Sequence, residues 1–256
     1  MRTITNFLTE AGEMSLFGLN AMKDAFRPPF EWQYFLRQLV EIGWRSLPLI
    51  VAAGLALGVV TTLHTRSTLV DFGAEAMIPS LQSMAFFNEL GPLVTGLLMA
   101  GRVGAGIGAE LANMRATEQI DAIESLSIDS FKFLVVTRIV ACILALPMLT
   151  VFMDCAGVLG GFFSEHAVSK ISWALYVNRA VNGMAFANFI PPTLKTSVFG
   201  FIIGTVSCFF GYTINEGSDG VRRASTNSVV LSSLLIILAD VILVKAIFFI
   251  FPEQAI

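Results

Sequence analysis

The chain has 256 residues, of which 55% are hydrophobic and only 14% are charged, and its formal net charge is −3. Soluble domains carry roughly 25% charged residues, so this composition indicates a membrane protein, and the small net charge gives no reason to expect nucleic-acid binding. The three cysteines, Cys142, Cys155 and Cys208, lie far apart in apolar runs. That spacing argues against a disulfide or a zinc site.

The N-terminal segment has helical periodicity. Apolar residues such as Ile4 and Phe7 fall on one face, and acidic residues such as Glu10 fall on the other. The segment 3–26 is too polar to span a bilayer, so we expect an amphipathic helix that lies in the membrane interface. A soluble helix docked on the rest of the protein is the alternative.

Five later stretches have the length and apolar character of membrane spans, which need about 20 residues each. The predicted spans are 46–63, 76–100, 139–163, 196–215 and 229–251. The second contains Glu89 and Pro92, and a break in a membrane helix is tolerated only where it faces protein or a cavity. We therefore predict an all-α integral membrane protein with one domain over 1–256.

Lys and Arg residues predict the orientation of these spans. Most of those that flank the spans lie before the first span or in the connections 101–138 and 216–228, and the opposite side has only Arg66, Lys170 and Arg179. Because positive charges accumulate on the cytoplasmic side, we expect the N-terminus in the cytoplasm and the C-terminus outside.

Four glycines follow the second span, at Gly101, Gly104, Gly106 and Gly108. A phosphate-binding loop needs a lysine directly after such a run, and none occurs before Lys132. The small residues Ala100, Gly104 and Gly108 recur every four positions, as do Gly101 and Ala105, a spacing typical of closely packed membrane helices. We predict that Gly101, Gly104 and Gly108 serve helix packing.

The segment 113–128 predicts a short amphipathic helix in the cytoplasm, with Thr117 as a possible N-cap. Its charged residues are Arg115, Glu118, Asp121 and Glu124. The functional interpretation is a docking helix that transmits motion between the membrane part and a soluble motor. The alternative is a solvated surface helix without a partner.

The run NELGPLVTGLLMAGRVGAGIGAELANMRATEQIDAIESLSID (88–129) closely resembles the permease subunit of MlaE/YrbE-type ABC transporters, which work with MCE proteins. The resemblance extends from 41 to about 249 and includes LPMLTVF (146–152), LKTSVFGF (194–201) and GYTINEGSDGVRRASTNSVVLSSL (211–234). Two positions depart from the family: Asn88 stands where Arg is frequent, and Ile128-Asp129-Ser130 stands where the family usually has V-D-P.

The resemblance implies a homodimer of five-span permeases in the bacterial inner membrane. Two cytoplasmic ABC ATPase subunits would dock on the coupling helix at about 113–128, and a periplasmic MCE-domain protein, a hexameric ring, would cap the outer side. The implied cargo is phospholipid or a related apolar lipid. ATP and Mg would bind to the partner ATPase, and we expect no cofactor on this chain.

Ionisable residues inside spans are costly and are candidate functional residues. We predict that Glu89, Lys195 and Asp240 line or gate a lipid cavity at the dimer interface, with Lys195 paired to Glu89 or Asp240. The alternative is that these charges only hold helices together. We find no arrangement of catalytic or metal-binding side chains, and we expect a permease subunit without catalytic activity of its own.

Two other functions remain open from the residues alone. An ion-coupled secondary transporter would use the intramembrane carboxylates of Glu89, Asp154 and Asp240. A membrane scaffold would use the acidic helix only to recruit a cytoplasmic partner.

Overall fold

The computed structural model describes residues 2–28, 31–182, 188–214 and 217–250. All regular secondary structure in these ranges is helical, which confirms the predicted all-α class. Five helical segments there have the length and apolar composition to cross a membrane: Trp32–Asp71, Glu75–Ala116, Phe131–Ser169, Ile190–Thr213 and Asp219–Ile250. The predicted number of spans is confirmed. Each segment is longer than predicted, because the helices continue beyond the apolar residues into polar ones.

Helix α1 (Arg2–Ala25) corresponds to the predicted amphipathic helix and packs against the start of the third span and α10. The first span consists of α2 (Trp32–Ile42), a short 3-10 turn at Trp44–Ser46, and α3 (Leu47–Asp71). Pro48 lies in the first turn of α3, where the missing proline N–H removes no intrahelical hydrogen bond.

The second span is interrupted twice by π-helical turns. It runs through α4 (Ile78–Ala85), a π segment at Phe86–Leu90, α5 (Gly91–Met99), a second π segment at Ala100–Gly104, and α6 (Ala105–Ala116). Such turns are frequent at functional sites, because the extra residue disturbs the regular pattern of backbone hydrogen bonds. The first of them contains Glu89, in the motif that predicted an irregular helix.

The remaining helices complete the bundle. They are α7 (Gln119–Ser125), α8 (Thr137–Ser169), α9 (Trp173–Val181), α10 (Ile190–Thr213) and α11 (Ser218–Ile250). A third π segment, Phe131–Val136, leads into α8. The short helices α7 and α9 lie at opposite ends of the bundle, called here the α7 end and the α9 end.

Glycines bring the central helices into close contact. A side chain added at Gly58 of α3 would meet the backbone of Gly157 in α8, and one added at Gly160 of α8 would meet the carbonyl of Leu55 in α3. Gly200 of α10 lies in the same way against the carbonyl of Cys142 in α8. Small residues therefore set the distances between α3, α8 and α10, as expected where helices pack within a bilayer.

The predicted coupling helix has different bounds in the structure. Residues 113–116 belong to the end of α6, Thr117 follows that helix instead of capping the next one, and α7 covers only Gln119–Ser125. The break lies at Glu118, whose φ of 57° is left-handed and therefore ends the α-helical path. The prediction of one helix over 113–128 was therefore wrong in its bounds, although a short helix does lie in this segment.

Candidate functional site

An ion cluster joins three helical segments in the half of the bundle nearer the α9 end. The Nζ atom of Lys195 in α10 lies 2.9 Å from Oε2 of Glu89 and 2.9 Å from Oδ1 of Asp240 in α11. The Lys195 side chain is 1% exposed, that of Asp240 is 7% exposed, and that of Glu89 is 40% exposed. The sequence prediction paired Lys195 with one carboxylate or the other, and the structure places it between both.

The backbone of the second span supplies a third oxygen for Lys195. Its Nζ donates a hydrogen bond to the carbonyl of Asn88 at 3.2 Å. In a regular α-helix this carbonyl would accept from the N–H of residue 92, but Pro92 has no N–H. The proline therefore leaves free the carbonyl that Lys195 binds, and the π turn presents Glu89 beside it.

The cluster lies on the wall of a cavity of about 290 Å³. Asn88, Glu89 and Lys195 form its polar part, and its apolar part is formed by Pro192, Val244, Ile247 and Phe248. A mostly apolar cavity with a few converging polar groups is the usual form of a small-molecule site. With an apolar wall on α11 and charges at one side, this one suits a molecule that has both a hydrocarbon part and a polar part.

Two other ionisable residues inside the spans, Asp154 and Lys245, are not part of this cluster. Asp154 of α8 is fully buried against Gly91, and neither of its carboxylate oxygens has a hydrogen-bond partner among the described residues. Lys245 is on the exposed surface of α11. The structure therefore groups Glu89, Lys195 and Asp240 in one ion cluster, and Asp154 forms no ion pair with it.

Helix α7 is fastened to the bundle through Glu124. The Ser130 hydroxyl donates to Oε1 of Glu124 at 2.5 Å, and the hydroxyl of Tyr212, near the end of α10, donates to the same oxygen at 3.3 Å. The two hydroxyl oxygens are 2.7 Å apart. Sequence reasoning named Glu124 but missed Tyr212 and Ser130, because no local pattern links residues so far apart in the chain.

The other charged residues of the α7 region lie at the surface. Arg115 and Asp121 form an ion pair of 2.9 Å, which bridges the break between α6 and α7. The side chain of Glu118 is exposed at that break. Ile120 is fully buried and anchors the inner face of α7. Glu118 and Asp121 are therefore both exposed at the α7 end, Glu118 at the break and Asp121 on α7.

The three glycines predicted to serve packing divide into two groups. A side chain at Gly108 would lie 2.5 Å from the Ser228 hydroxyl of α11, and one at Gly104 would lie 3.2 Å from the Ser207 hydroxyl of α10. Gly101 has open space beside it and is exposed, so it packs against no other helix among the described residues, and its role in helix packing stays a prediction. The π segment at Ala100–Gly104 explains the difference, since it turns Gly101 away from the face that the four-residue spacing predicted.

A buried glutamine links the helices at the α9 end. Gln82 Nε2 donates to the carbonyls of Gly58 and Gly157, each at 3.2 Å, and Gln82 Oε1 accepts hydrogen bonds from Thr62 and, at 2.9 Å, from Tyr176. Burial raises the pKa of the Tyr176 hydroxyl, and the nearby Glu165 carboxylate raises it further. The hydroxyl therefore keeps its proton and remains a donor to Gln82.

Comparisons with known proteins agree with this architecture. The sequence model of the family described as Permease MlaE matches residues 35–246. A probable ABC transporter permease protein of Rickettsia felis is 37% identical over 247 residues, which cover 96% of this chain and 95% of that protein. The intermembrane phospholipid transport system permease protein MlaE of Haemophilus influenzae is 30% identical over 94% of this chain and 92% of its own length.

A plant relative shares most of the chain as well. The chloroplastic protein TRIGALACTOSYLDIACYLGLYCEROL 1 of Arabidopsis thaliana is 31% identical over 83% of this chain and 61% of its own length. With the family match over 35–246 and the five apolar helical segments in the described ranges, these relatives establish the class of the protein. The chain belongs to the MlaE permease family and is a multi-pass membrane protein of the ABC transporter permease type.

Proposed function

We propose that this chain is the permease subunit of an ABC transporter that moves phospholipid, or a related apolar lipid, between the inner membrane and a periplasmic MCE-protein tunnel. The observation that carries the proposal is the cavity beside Lys195, with charges on one side and Pro192, Val244, Ile247 and Phe248 on the other. The name of the Haemophilus influenzae relative includes phospholipid transport, which supports this class of cargo.

The depth of the cluster also suits a lipid headgroup. Lys195 lies shortly after α10 begins at Ile190, so it is roughly 8 Å along the helix from the α9 end, at 1.5 Å per residue. If the N-terminus is cytoplasmic, as the distribution of Lys and Arg predicts, the α9 end faces the periplasm. Val244, Ile247 and Phe248 follow Asp240 toward the same end of the bundle, so a lipid with its headgroup near Glu89 would direct its acyl chains along α11 toward the periplasmic side.

The assembly that we propose is a homodimer with two ABC ATPase subunits at the α7 end and an MCE-domain ring at the α9 end. Helix α7 would be the contact with the ATPase, because Glu118 and Asp121 are directed outward and Glu124 is tied to Tyr212 of α10. Closure of the ATPases around ATP and Mg would push α7, and α10 would carry that movement to Lys195. The spans would then tilt and expel the lipid from the cavity.

Charge reversal on α7 tests this mechanism. In a complex reconstituted in liposomes with the ATPase and MCE proteins, the variant Glu118→Lys/Asp121→Lys should lose lipid transfer while the ATPase continues to hydrolyse ATP. The matched control is Asp219→Lys, since Asp219 is also acidic and is 83% exposed near the start of α11. Normal lipid transfer in the α7 variant would show that α7 is not the coupling element.

The same assay separates the two other functions. Transport that continues without ATP and stops when the ion gradient is removed would indicate an ion-coupled transporter. No lipid in the cavity and no transfer under any condition would indicate a scaffold.

A further inference from the structure

The charges around Lys195 do not balance. One ammonium group lies between two carboxylates, those of Glu89 and Asp240, each at 2.9 Å. An ammonium group has three N–H donors, and here three oxygens surround it, because the Asn88 carbonyl at 3.2 Å is the third. The contacts with Glu89 and with the Asn88 carbonyl are hydrogen bonds, the contact with Asp240 is an ion pair, and the Lys195 side chain is only 1% exposed. Lys195 is therefore enclosed by these groups, and the cluster has one negative charge in excess.

The accessible charged group on the cavity wall is the carboxylate of Glu89. Glu89 is 40% exposed and binds Lys195 through only one of its two oxygens. The side-chain oxygen Oδ1 of Asn88 is buried and has no hydrogen-bond partner among the described residues. Both residues line the cavity, and the other residues of its wall are apolar apart from Lys195, whose side chain is almost completely buried.

Excess charge in a nonpolar environment is costly, and so is a buried acceptor without a donor. The cluster therefore favours binding of a second cation. That cation is a proton when no ligand is bound, or a positively charged group of a bound ligand. An anionic group would add to the excess negative charge and would find no free cation on the wall. A cationic group with N–H donors would satisfy both the charge and the acceptors.

We propose that the cavity selects lipids whose headgroup ends in a primary ammonium group, over lipids with a purely anionic headgroup. This inference rests on the proposed function, namely that the cavity holds a lipid. The ammonium group would lie against the exposed carboxylate of Glu89, and the acyl chains would lie along Val244, Ile247 and Phe248. Phosphatidylethanolamine has such a headgroup, phosphatidylcholine has the charge without N–H donors, and phosphatidylglycerol has only the negative charge.

Native mass spectrometry of the full-length chain, purified with the subunits that accompany it, tests the proposal. The complex is incubated with equal amounts of the three lipids with identical acyl chains. The variant Val244→Trp places a large side chain in the apolar part of the cavity. The lipid that binds to the wild type but not to this variant is counted as lipid in the cavity. A hydrogen bond to a charged group contributes about 1.5–3 kcal/mol, so phosphatidylethanolamine should exceed phosphatidylglycerol in this fraction about tenfold or more.

Two variants change the charge of the wall without removing Lys195. Glu89→Gln keeps an acceptor for Lys195 and removes the excess negative charge, so the preference should fall to nearly equal binding. Asn88→Arg adds a cation to the wall and should favour phosphatidylglycerol. Asp71→Asn removes an exposed carboxylate at the end of α3, outside the cavity, and should keep the wild-type preference.

Equal binding of the three lipids by the wild type, or an unchanged preference in Glu89→Gln and Asn88→Arg, would overturn the headgroup selection while the cavity would still hold lipid. If Val244→Trp removes no lipid at all, the cavity holds none. That result would overturn the proposed function together with this inference.

Discussion

Lys195 of α10 and Asp240 of α11 form an ion pair of 2.9 Å in which the two side chains are only 1% and 7% exposed. The charged groups of such a pair lose their hydration, so the pair adds little net stability compared with two apolar residues of similar size. Removal of only one partner strongly destabilises the protein, because it leaves an uncompensated charge in the protein interior. The pair therefore makes the docking of α11 dependent on both residues.

Lys195→Met should destabilise the protein strongly, since it leaves Glu89 and Asp240 facing each other without a cation. The typical cost of breaking a buried pair is about 3–5 kcal/mol. The double variant Lys195→Met/Asp240→Leu should recover much of the loss. Thermal unfolding in detergent, followed by intrinsic fluorescence, measures both effects.

Lys245→Met is the control, because Lys245 is exposed on the same helix α11 and should tolerate the change. A double variant as unstable as Lys195→Met alone would mean that the uncompensated charge is not the cause of the instability.

Tyr212→Phe should loosen α7, because it removes the hydroxyl that contacts both Ser130 and Glu124. We expect faster hydrogen exchange of the backbone amides in Gln119–Ser125 and, in the full transporter, less lipid transfer for each ATP hydrolysed. Glu124→Gln should have a similar effect, and the two changes should not add up when combined, because they remove the same contact. Additive effects would indicate that Tyr212 and Glu124 act independently.

Gly160→Ala should destabilise the bundle, since its methyl group would meet the carbonyl of Leu55 in the tightly packed helix α3. Overpacking of this kind costs about 1–3 kcal/mol. Gly101→Ala should be tolerated in the isolated chain, because open space lies beside Gly101 and alanine favours a helix more than glycine does. The apparent melting temperatures of Gly160→Ala and Gly101→Ala in detergent, each compared with that of the wild type, measure both effects. A loss at Gly101 as large as at Gly160 would show that a second molecule covers the exposed face of the second span.

Gln82→Leu should destabilise the α9 end, because Gln82 is 2% exposed and its side chain joins α4 to α3, α8 and α9. Tyr176→Phe removes only one of these hydrogen bonds and should cost about 1 kcal/mol. Thermal unfolding of the two variants should therefore rank Gln82→Leu as the less stable. The reverse order would mean that Tyr176 contributes mainly through other contacts.

The raised pKa of Tyr176 adds a dependence on pH. Because burial disfavours the ionised hydroxyl in the folded state, the contribution of this group to stability is complete below the ordinary tyrosine pKa of about 10 and is lost as the pH rises above it. The melting temperature of the wild type should therefore fall more steeply above that pH than the melting temperature of Tyr176→Phe. Parallel curves would contradict the buried position of the hydroxyl.

The spans and the charges inside them were predictable, because both follow from the cost of polar groups in a bilayer. Because of that cost, the sequence alone identified Glu89, Lys195 and Asp240 as candidate functional residues. Their opposite charges predicted that Lys195 pairs with one of the two carboxylates. The position of Lys195 between both carboxylates depends on how α10 and α11 pack against each other. The pattern of residues within a single helix does not predict that packing. The part played by the Asn88 carbonyl could have been inferred, since Pro92 always leaves it without its helical partner.

Two local conformations explain where the structure differs from the sequence-based expectations. The left-handed φ of Glu118 divides the helix predicted for 113–128, and such a conformation is uncommon outside glycine. The π segment at Ala100–Gly104 turns Gly101 outward, although the spacing of small residues placed it in the same packing face as Ala105. A sequence pattern that assumes 3.6 residues per turn predicts neither feature.

The arrangement of α11 has a consequence for biosynthesis. The apolar part of α11 is much less buried than those of the third and fourth spans, so α11 packs on one side of the bundle, against α10 and α6. Chains emerge from the ribosome with the N-terminal part first, and until α11 is released Lys195 has Glu89 as its only acidic partner in the cluster. In that interval Lys195 and Glu89 balance each other, and the arrival of Asp240 adds the excess negative charge. A chain that stops before Ser218 would therefore lack both this charge and the apolar wall that α11 gives to the cavity.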